Sequence, residues 1–158
     1  MSAVMKGNSQ QVFRWVTFRL ADETYGINVM QVQEVLRMTD VAPVPGAPHY
    51  VMGIINLRGN VVTVLDTRKL LDLATGDITD TSRIMIIESG KVTVGLLVDS
   101  VAEVVNISSS EIDPPPSVGN DDGSRYIQGI YSSEQQILIL IDLDKLINEE
   151  NREAISTF

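Results

Sequence analysis

Residues Gly53–Leu71, GIINLRGNVVTVLDTRKLL, return in weaker form as Gly129–Ile147, GIYSSEQQILILIDLDKLI, and no other feature restricts the fold as much. In both copies a glycine precedes an aspartate by 13 positions, Gly53 to Asp66 and Gly129 to Asp142. The lead-ins correspond, Tyr50-Val51-Met52 with Tyr126-Ile127-Gln128, and so do the trailing runs Lys69-Leu70-Leu71 and Lys145-Leu146-Ile147. Upstream, Tyr25-Gly26-Ile27-Asn28-Val29 through Val32, Glu34 and Val35 matches Val94-Gly95-Leu96-Leu97-Val98 through Val101, Glu103 and Val104, 69 positions later. A repeat of this length means a duplicated structural unit. Each half is expected to run strand, turn, strand, short helix, connection, strand, turn, strand. The offset rises from 69 to 76, which places seven extra residues in the polar run near Asn120-Asp121-Asp122-Gly123-Ser124, as expected of a surface loop.

A half of roughly seventy residues buries too little surface to be comfortably stable alone. The halves of this 158-residue chain are therefore expected to share an interface. The expected organisation is one domain over 12–150, built from two interlocked subdomains at about 13–71 and 83–147 with the chain free to cross between them. Residues 1–11 and 153–158 are expected to be flexible termini. Cysteine is absent, which excludes disulfides and sulfur-based zinc sites. No apolar run approaches the length of a membrane span, and MSAVMKGNSQQ lacks a signal-peptide core, so a soluble cytoplasmic protein is expected. A net charge of −9 is the wrong sign for phosphate backbones or anionic lipid.

Along the chain, Val16, Phe18 and Leu20 alternate with polar residues as in a strand with one buried face. Tyr25–Asn28 returns as a second strand. Val29, Val32, Val35 and Leu36 form a helical stripe, predicting a two-turn helix over Val29–Leu36. A third strand is expected at Met38–Val41, followed by a stiff connection through Pro43, Pro45 and Pro48. Gly53–Leu57 and Val61–Asp66 make a hairpin turning at Arg58-Gly59-Asn60. Five short strands in so short a stretch favour a small barrel, which removes exposed edges. Asp72–Ser82 reads as a polar crossing. The second half repeats the scheme, with a helix from Asp99 to Val104, an extended loop at Pro114-Pro115-Pro116, and a final helix from Leu143 to about Arg152.

Reaction chemistry finds little support in these residues. His49 is the single histidine and lies in a proline-flanked loop without ligand-spaced companions. Asp66 and Asp142 stand at equivalent strand ends and suggest a carboxylate pair, but each precedes a helical turn where aspartate caps backbone N–H groups. Asp121-Asp122-Gly123 is too short for a calcium loop. Neither a phosphate-cradling glycine loop nor a Gly-x-Ser-x-Gly elbow is present. No residue is assigned a catalytic, cofactor-binding or metal-binding role. What remains is surface. Glu34 and Arg58 read as an intradomain ion pair, or as a tie that fixes elements presenting Val32 and Leu57 to a partner. Val118 is either a loop anchor or an exposed apolar contact.

Val32-Gln33-Glu34-Val35, Pro43-Val44-Pro45, Gly53-Ile54-Ile55-Asn56-Leu57-Arg58-Gly59 with Val61–Asp66, and Val94-Gly95 to Val98-Asp99 together resemble the CheW chemotaxis coupling family, over about Phe13–Ile147. The resemblance implies a mainly β fold of two pseudo-twofold-related five-stranded SH3-like barrels with short helices and a C-terminal helix. It implies a non-enzymatic adaptor between methyl-accepting chemoreceptors and the histidine kinase CheA, recruited to membrane receptor arrays and able to form rings with the kinase or with itself. On the same basis Val32, Glu34, Leu57 and Arg58 would contact the kinase regulatory domain or support that contact on one barrel, and Asp113 to Val118 on the other. Gly53, Ile84, Gly95 and Val104 would lie near a groove for the receptor tip. In the second repeat Ser132-Ser133-Glu134 replaces Asn56-Leu57-Arg58, so the barrels are not expected to be interchangeable. Other readings are a CheW-like module of another chemosensory pathway, or a small-molecule-binding or hydrolytic β-barrel.

Overall fold

The structure, a computed structural model, describes residues 11–115 and 126–147. The expectations for both termini, Val118, the Asp121-Asp122-Gly123 turn and any helix beyond residue 147 lie outside the described residues. The described residues form ten strands, β1 (Val12–Leu20), β2 (Glu23–Asn28), β3 (Val32–Arg37), β4 (Val51–Leu57), β5 (Asn60–Asp66), β6 (Arg83–Ser89), β7 (Val92–Val98), β8 (Ser100–Ser108), β9 (Ile127–Ser132) and β10 (Ile137–Ile141). They form two five-stranded sheets, ordered β8-β1-β2-β10-β9 and β3-β6-β7-β5-β4.

Neither sheet is one half of the chain. Strands β1 and β2 of the first half join β8–β10 of the second, while β3–β5 join β6 and β7. The halves meet at two parallel pairings, β2 with β10 and β5 with β7, where Gly26 faces Leu140 and Gly95 faces Val64. The repeat glycines suit these junctions. A Cβ on Gly95 would come within 2.7 Å of the Ile84 Cγ2, and one on Gly26 within 3.2 Å of the Leu140 Cδ2.

In each sheet one short bridge links the two outer strands. Beyond β3, Ala42 exchanges two hydrogen bonds of 2.9 Å with Ile54 of β4. Beyond β8, Asp113 exchanges bonds of 2.8 and 2.9 Å with Ile130 of β9. The glycine opening each long repeat lies against this bridge: a Cβ on Gly53 would strike the Ala42 carbonyl, and one on Gly129 would stand 2.9 Å from the Asp113 carbonyl oxygen.

Three apolar clusters follow. Val16, Phe18, Met85, Ile87, Leu65 and Leu96 build the shared core, to which both sheets contribute. Ile55, Val62, Val64, Ile84 and Ile86 form a cluster within the second sheet. Trp15, Ile107, Leu138 and Leu140 form one within the first. Ile84, Met85, Ile86 and Ile87 are all wholly buried because successive side chains of β6 enter different clusters.

Two expected helices are strands. Val29–Gln31 is a single 3-10 turn, and β3 then alternates half-buried Val32, Glu34 and Leu36 with exposed Gln33, Val35 and Arg37. Asp99–Val104 likewise enters β8, paired with β1. The three-residue spacing arose from a 3-10 turn abutting a strand, and β-branched valines favour the pleated surface. The expected strand at Met38–Val41 is absent; only Ala42 pairs there.

Candidate interaction surfaces

The Arg58-Gly59 turn has positive φ at both positions, 52° and 90°, the geometry of a two-residue hairpin matched to strand twist. Asn56 Oδ1 accepts the Gly59 N–H at 2.8 Å and holds the tip. Arg58 therefore reaches from the β4–β5 tip to Glu34 on β3, the opposite outer strand of the same sheet. Its Nη1 donates to Glu34 Oε1 at 3.3 Å and its Nη2 to Oε2. The Arg58 side chain is 68% exposed and that of Glu34 31%. This hydrogen bond holds the Glu34 carboxyl below its ordinary range and pushes the guanidinium further up. Val32 packs beside the shared core and Leu57 beside the second sheet's cluster, so the ion pair does not gather them into one exposed patch. The exposed apolar side chains nearest in sequence are Val35 and Val61.

The counterpart end of the first sheet differs in charge. At the positions of Glu34 and Arg58 stand Glu103 and Glu134, two exposed carboxylates that cannot pair with each other. Val104 and Ile137 are exposed there, at the repeat positions of Val35 and Val61. That recurrence lies in the repeat register itself, which sets Val35 against Val104 and Val61 against Ile137. Asp113 is exposed while its backbone makes the bridge to Ile130. Beside it opens a cleft of about 350 Å³ lined by Phe13, Trp15, Ile112, Asp113 and Pro114, among others.

The four expected groove residues do not share a surface. Gly53, Ile84 and Gly95 are buried, with Ile84 wholly inside, whereas Val104 is exposed on β8. Asp66 and Asp142 act as helix caps: their Oδ1 atoms accept the N–H of Lys69 at 3.3 Å and of Lys145 at 3.2 Å. His49 stands edge-on to Tyr50, with ring centroids 5.6 Å apart. Among the described residues no group of three or more histidine, aspartate or glutamate side chains is arranged to hold a metal ion. No described helix is long and apolar enough to cross a membrane.

The two five-stranded sheets carry unlike charges at equivalent ends, Glu34 with Arg58 against Glu103 with Glu134. The family profile described as the CheW-like domain matches residues 14–151, and the chain belongs to that family. It is similar to the chemotaxis protein CheW of Rhizobium meliloti, 33% identical over 139 residues covering 88% of this chain and 90% of the relative. It is also similar to the CheW protein of Treponema pallidum, 32% identical over 96% of this chain and 91% of that protein. Among solved structures, the scaffolding protein TtCheW of Thermoanaerobacter tengcongensis superposes with a TM-score of 0.80 at 33% identity, covering 89% of this chain and 96% of that one.

Proposed function

We propose that this chain is a non-enzymatic chemotaxis adaptor that couples methyl-accepting chemoreceptors to a CheA-type histidine kinase and is recruited through them to membrane receptor arrays. The observation that carries the reading is the pair of unlike sheet ends on one shared core: Glu34 tied to Arg58 at one, Glu103 and Glu134 unpaired with each other at the other. Membership of the CheW-like family supports it, as do relatives named for chemotaxis and a structural neighbour described as scaffolding.

In this reading Glu34 and Arg58, supported by Val32 and Leu57, meet the kinase regulatory domain at one end, and the segment Asp113 to Val118 meets a second kinase domain at the other, giving alternating rings. The receptor tip enters between the sheets, with Gly53, Ile84 and Gly95 shaping the walls from within and Val104 at the rim. An adaptor of this kind changes kinase output by binding one state of the assembly more tightly than another.

The test is a binding titration against a CheA regulatory domain with Arg58→Glu and Val118→Asp. A loss of tenfold or more in affinity for either variant, with an unchanged melting temperature, supports the assignment. Wild-type affinity in both folded variants removes these contacts.

A further inference from the structure

Beside the Asp113–Ile130 bridge, the cleft of about 350 Å³ has apolar walls from Phe13, Trp15, Ile112 and Pro114, with Asn28 and Gln128 among the polar side chains that line it. Trp15 is 1% exposed, yet its indole Nε1–H has no hydrogen-bond acceptor among the described residues. The buried side chains clustered with it, Ile107, Leu138 and Leu140, offer no acceptor, which leaves the cleft as the way for one to reach it. A buried donor in this state costs stability, and native proteins leave few of them.

The repeat shows what the fold alone requires at these positions. Trp15, Asn28 and Gln128 correspond to Ile84, Leu97 and Met52, at the repeat offsets of 69 and 76. In the second sheet Ile84 is wholly buried, and Leu97 and Met52 pack against its cluster. Three apolar side chains thus serve there, where the first sheet has an indole and two amides around open space. Hydrogen-bonding groups in place of hydrocarbon add nothing to the packing.

The polar groups define what fits. Trp15 and Asn28 are direct cross-strand partners on β1 and β2, so their side chains share a face of the sheet. The Asn28 Oδ1 is committed to the Met30 N–H at 2.9 Å, which leaves its NH2 group as a second donor on the indole's face. Two donors on one face call for a shared acceptor such as a carbonyl oxygen. Gln128 is exposed, and its amide oxygen offers an acceptor for an N–H on the same ligand. The exposed Asp113 carboxylate lines the same cleft, and in a chain of net charge −9 it disfavours an anion. A flat apolar body suits the Phe13 and Trp15 rings.

We propose that this cleft binds a small neutral molecule with a flat apolar body and a carboxamide, its carbonyl oxygen accepting from Trp15 Nε1 and the Asn28 amide and its N–H donating to Gln128. Asp113 and Pro114 also belong to the segment assigned above to the second kinase contact, so ligand and kinase would compete for this end. The binding itself requires no receptor or kinase and stands apart from the adaptor reading.

Trp15 is the single tryptophan, so its indole N–H gives one NMR signal that reports on the cleft directly. Titrating the full chain with benzamide should shift that signal saturably in the millimolar range, together with the side-chain amide signals of Asn28 and Gln128. Benzoate, alike in shape but anionic, should bind more weakly, by about tenfold or more. Gln128→Met and Asn28→Leu, each installing the second sheet's residue, should abolish the shift, and a thermal melt verifies that each variant stays folded. No saturable shift in the wild type, benzoate binding as tightly as benzamide, or unchanged affinity in both folded variants overturns the proposal; the first two comparisons need no variant.

Discussion

Arg68 grips both carboxylate oxygens of Asp99, through Nε at 3.0 Å to Oδ1 and through Nη2 to Oδ2, while Oδ2 also accepts the Ala21 N–H at 2.8 Å. Arg68 follows β5 of the second sheet, Ala21 turns between β1 and β2 of the first, and Asp99 lies where the chain passes from one sheet to the other. One ion pair thus joins three segments distant in sequence, and its hydrogen bonds push the guanidinium pKa up. The side chains are 18% and 31% exposed, so the pair is less screened than a surface bridge. Arg68→Met is expected to cost about 1–2 kcal/mol, the range for charge-assisted hydrogen bonds at a partly exposed site. Denaturant unfolding of Arg68→Met, Asp99→Asn and the double variant should show coupling of about 1 kcal/mol; additive losses would assign the stability to packing.

Gly53 and Gly129 occupy the same repeat position with unequal tolerance for a side chain. Gly53 has φ of 154° and meets the backbone of Ala42, whereas Gly129 has no positive φ and a Cβ there meets the Ile112 side chain and stands 2.9 Å from the Asp113 carbonyl oxygen. Gly53→Ala should therefore destabilise by about 3 kcal/mol or more, combining backbone strain with overpacking. Gly129→Ala should cost about 1–3 kcal/mol. Thermal unfolding of both variants ranks them, and equal losses would contradict the structure.

Thr67 is 1% exposed and its hydroxyl has no hydrogen-bond partner among the described residues. Its repeat counterpart, Leu143, is apolar and equally buried. Removing an unsatisfied buried hydroxyl while keeping the shape relieves a desolvation cost. Thr67→Val is expected to be neutral or stabilising by up to about 2 kcal/mol. A clear loss in equilibrium unfolding would show that the hydroxyl has a partner in solution.

The Arg58 hydrogen bond gives the Glu34 carboxyl a folded-state pKa below its unfolded value. Its contribution to stability is therefore present above the ordinary glutamate range and is lost as pH falls through the depressed folded value. Carboxyl-carbon NMR titration should find Glu34 titrating below the ordinary glutamate range, and Arg58→Met should return it to that range. Unchanged titration in the variant would mean that the pair is not populated in solution.

Several features were legible in the residues because their causes are local. Period-two alternation marked β1, aspartate before a helical turn marked both caps, and Arg58-Gly59 marked the hairpin tip. Glu34 and Arg58 were paired correctly although Glu34 lies on a strand, since the charges meet whichever element carries them. The helix expected over Val29–Leu36 failed because its residues satisfy either periodicity, and pairing with β6 decided between them. Arg68 and Asp99 carried no mark of their partnership, being 31 positions apart with the crossing between them.

By itself, the sequence determined a duplicated β structure with halves too small to be comfortably stable apart, because the repeat and the small size of each unit are properties of the chain. Tertiary structure alone decided that the halves exchange hairpins, so that Gly26 meets Leu140 and Gly95 meets Val64. It also placed Gly53, Ile84 and Gly95 inside and left Val104 exposed. The physical reason is that strand pattern encodes which side chains seek burial, whereas the choice of neighbouring strand depends on backbone pairing and close approach between segments far apart in the chain.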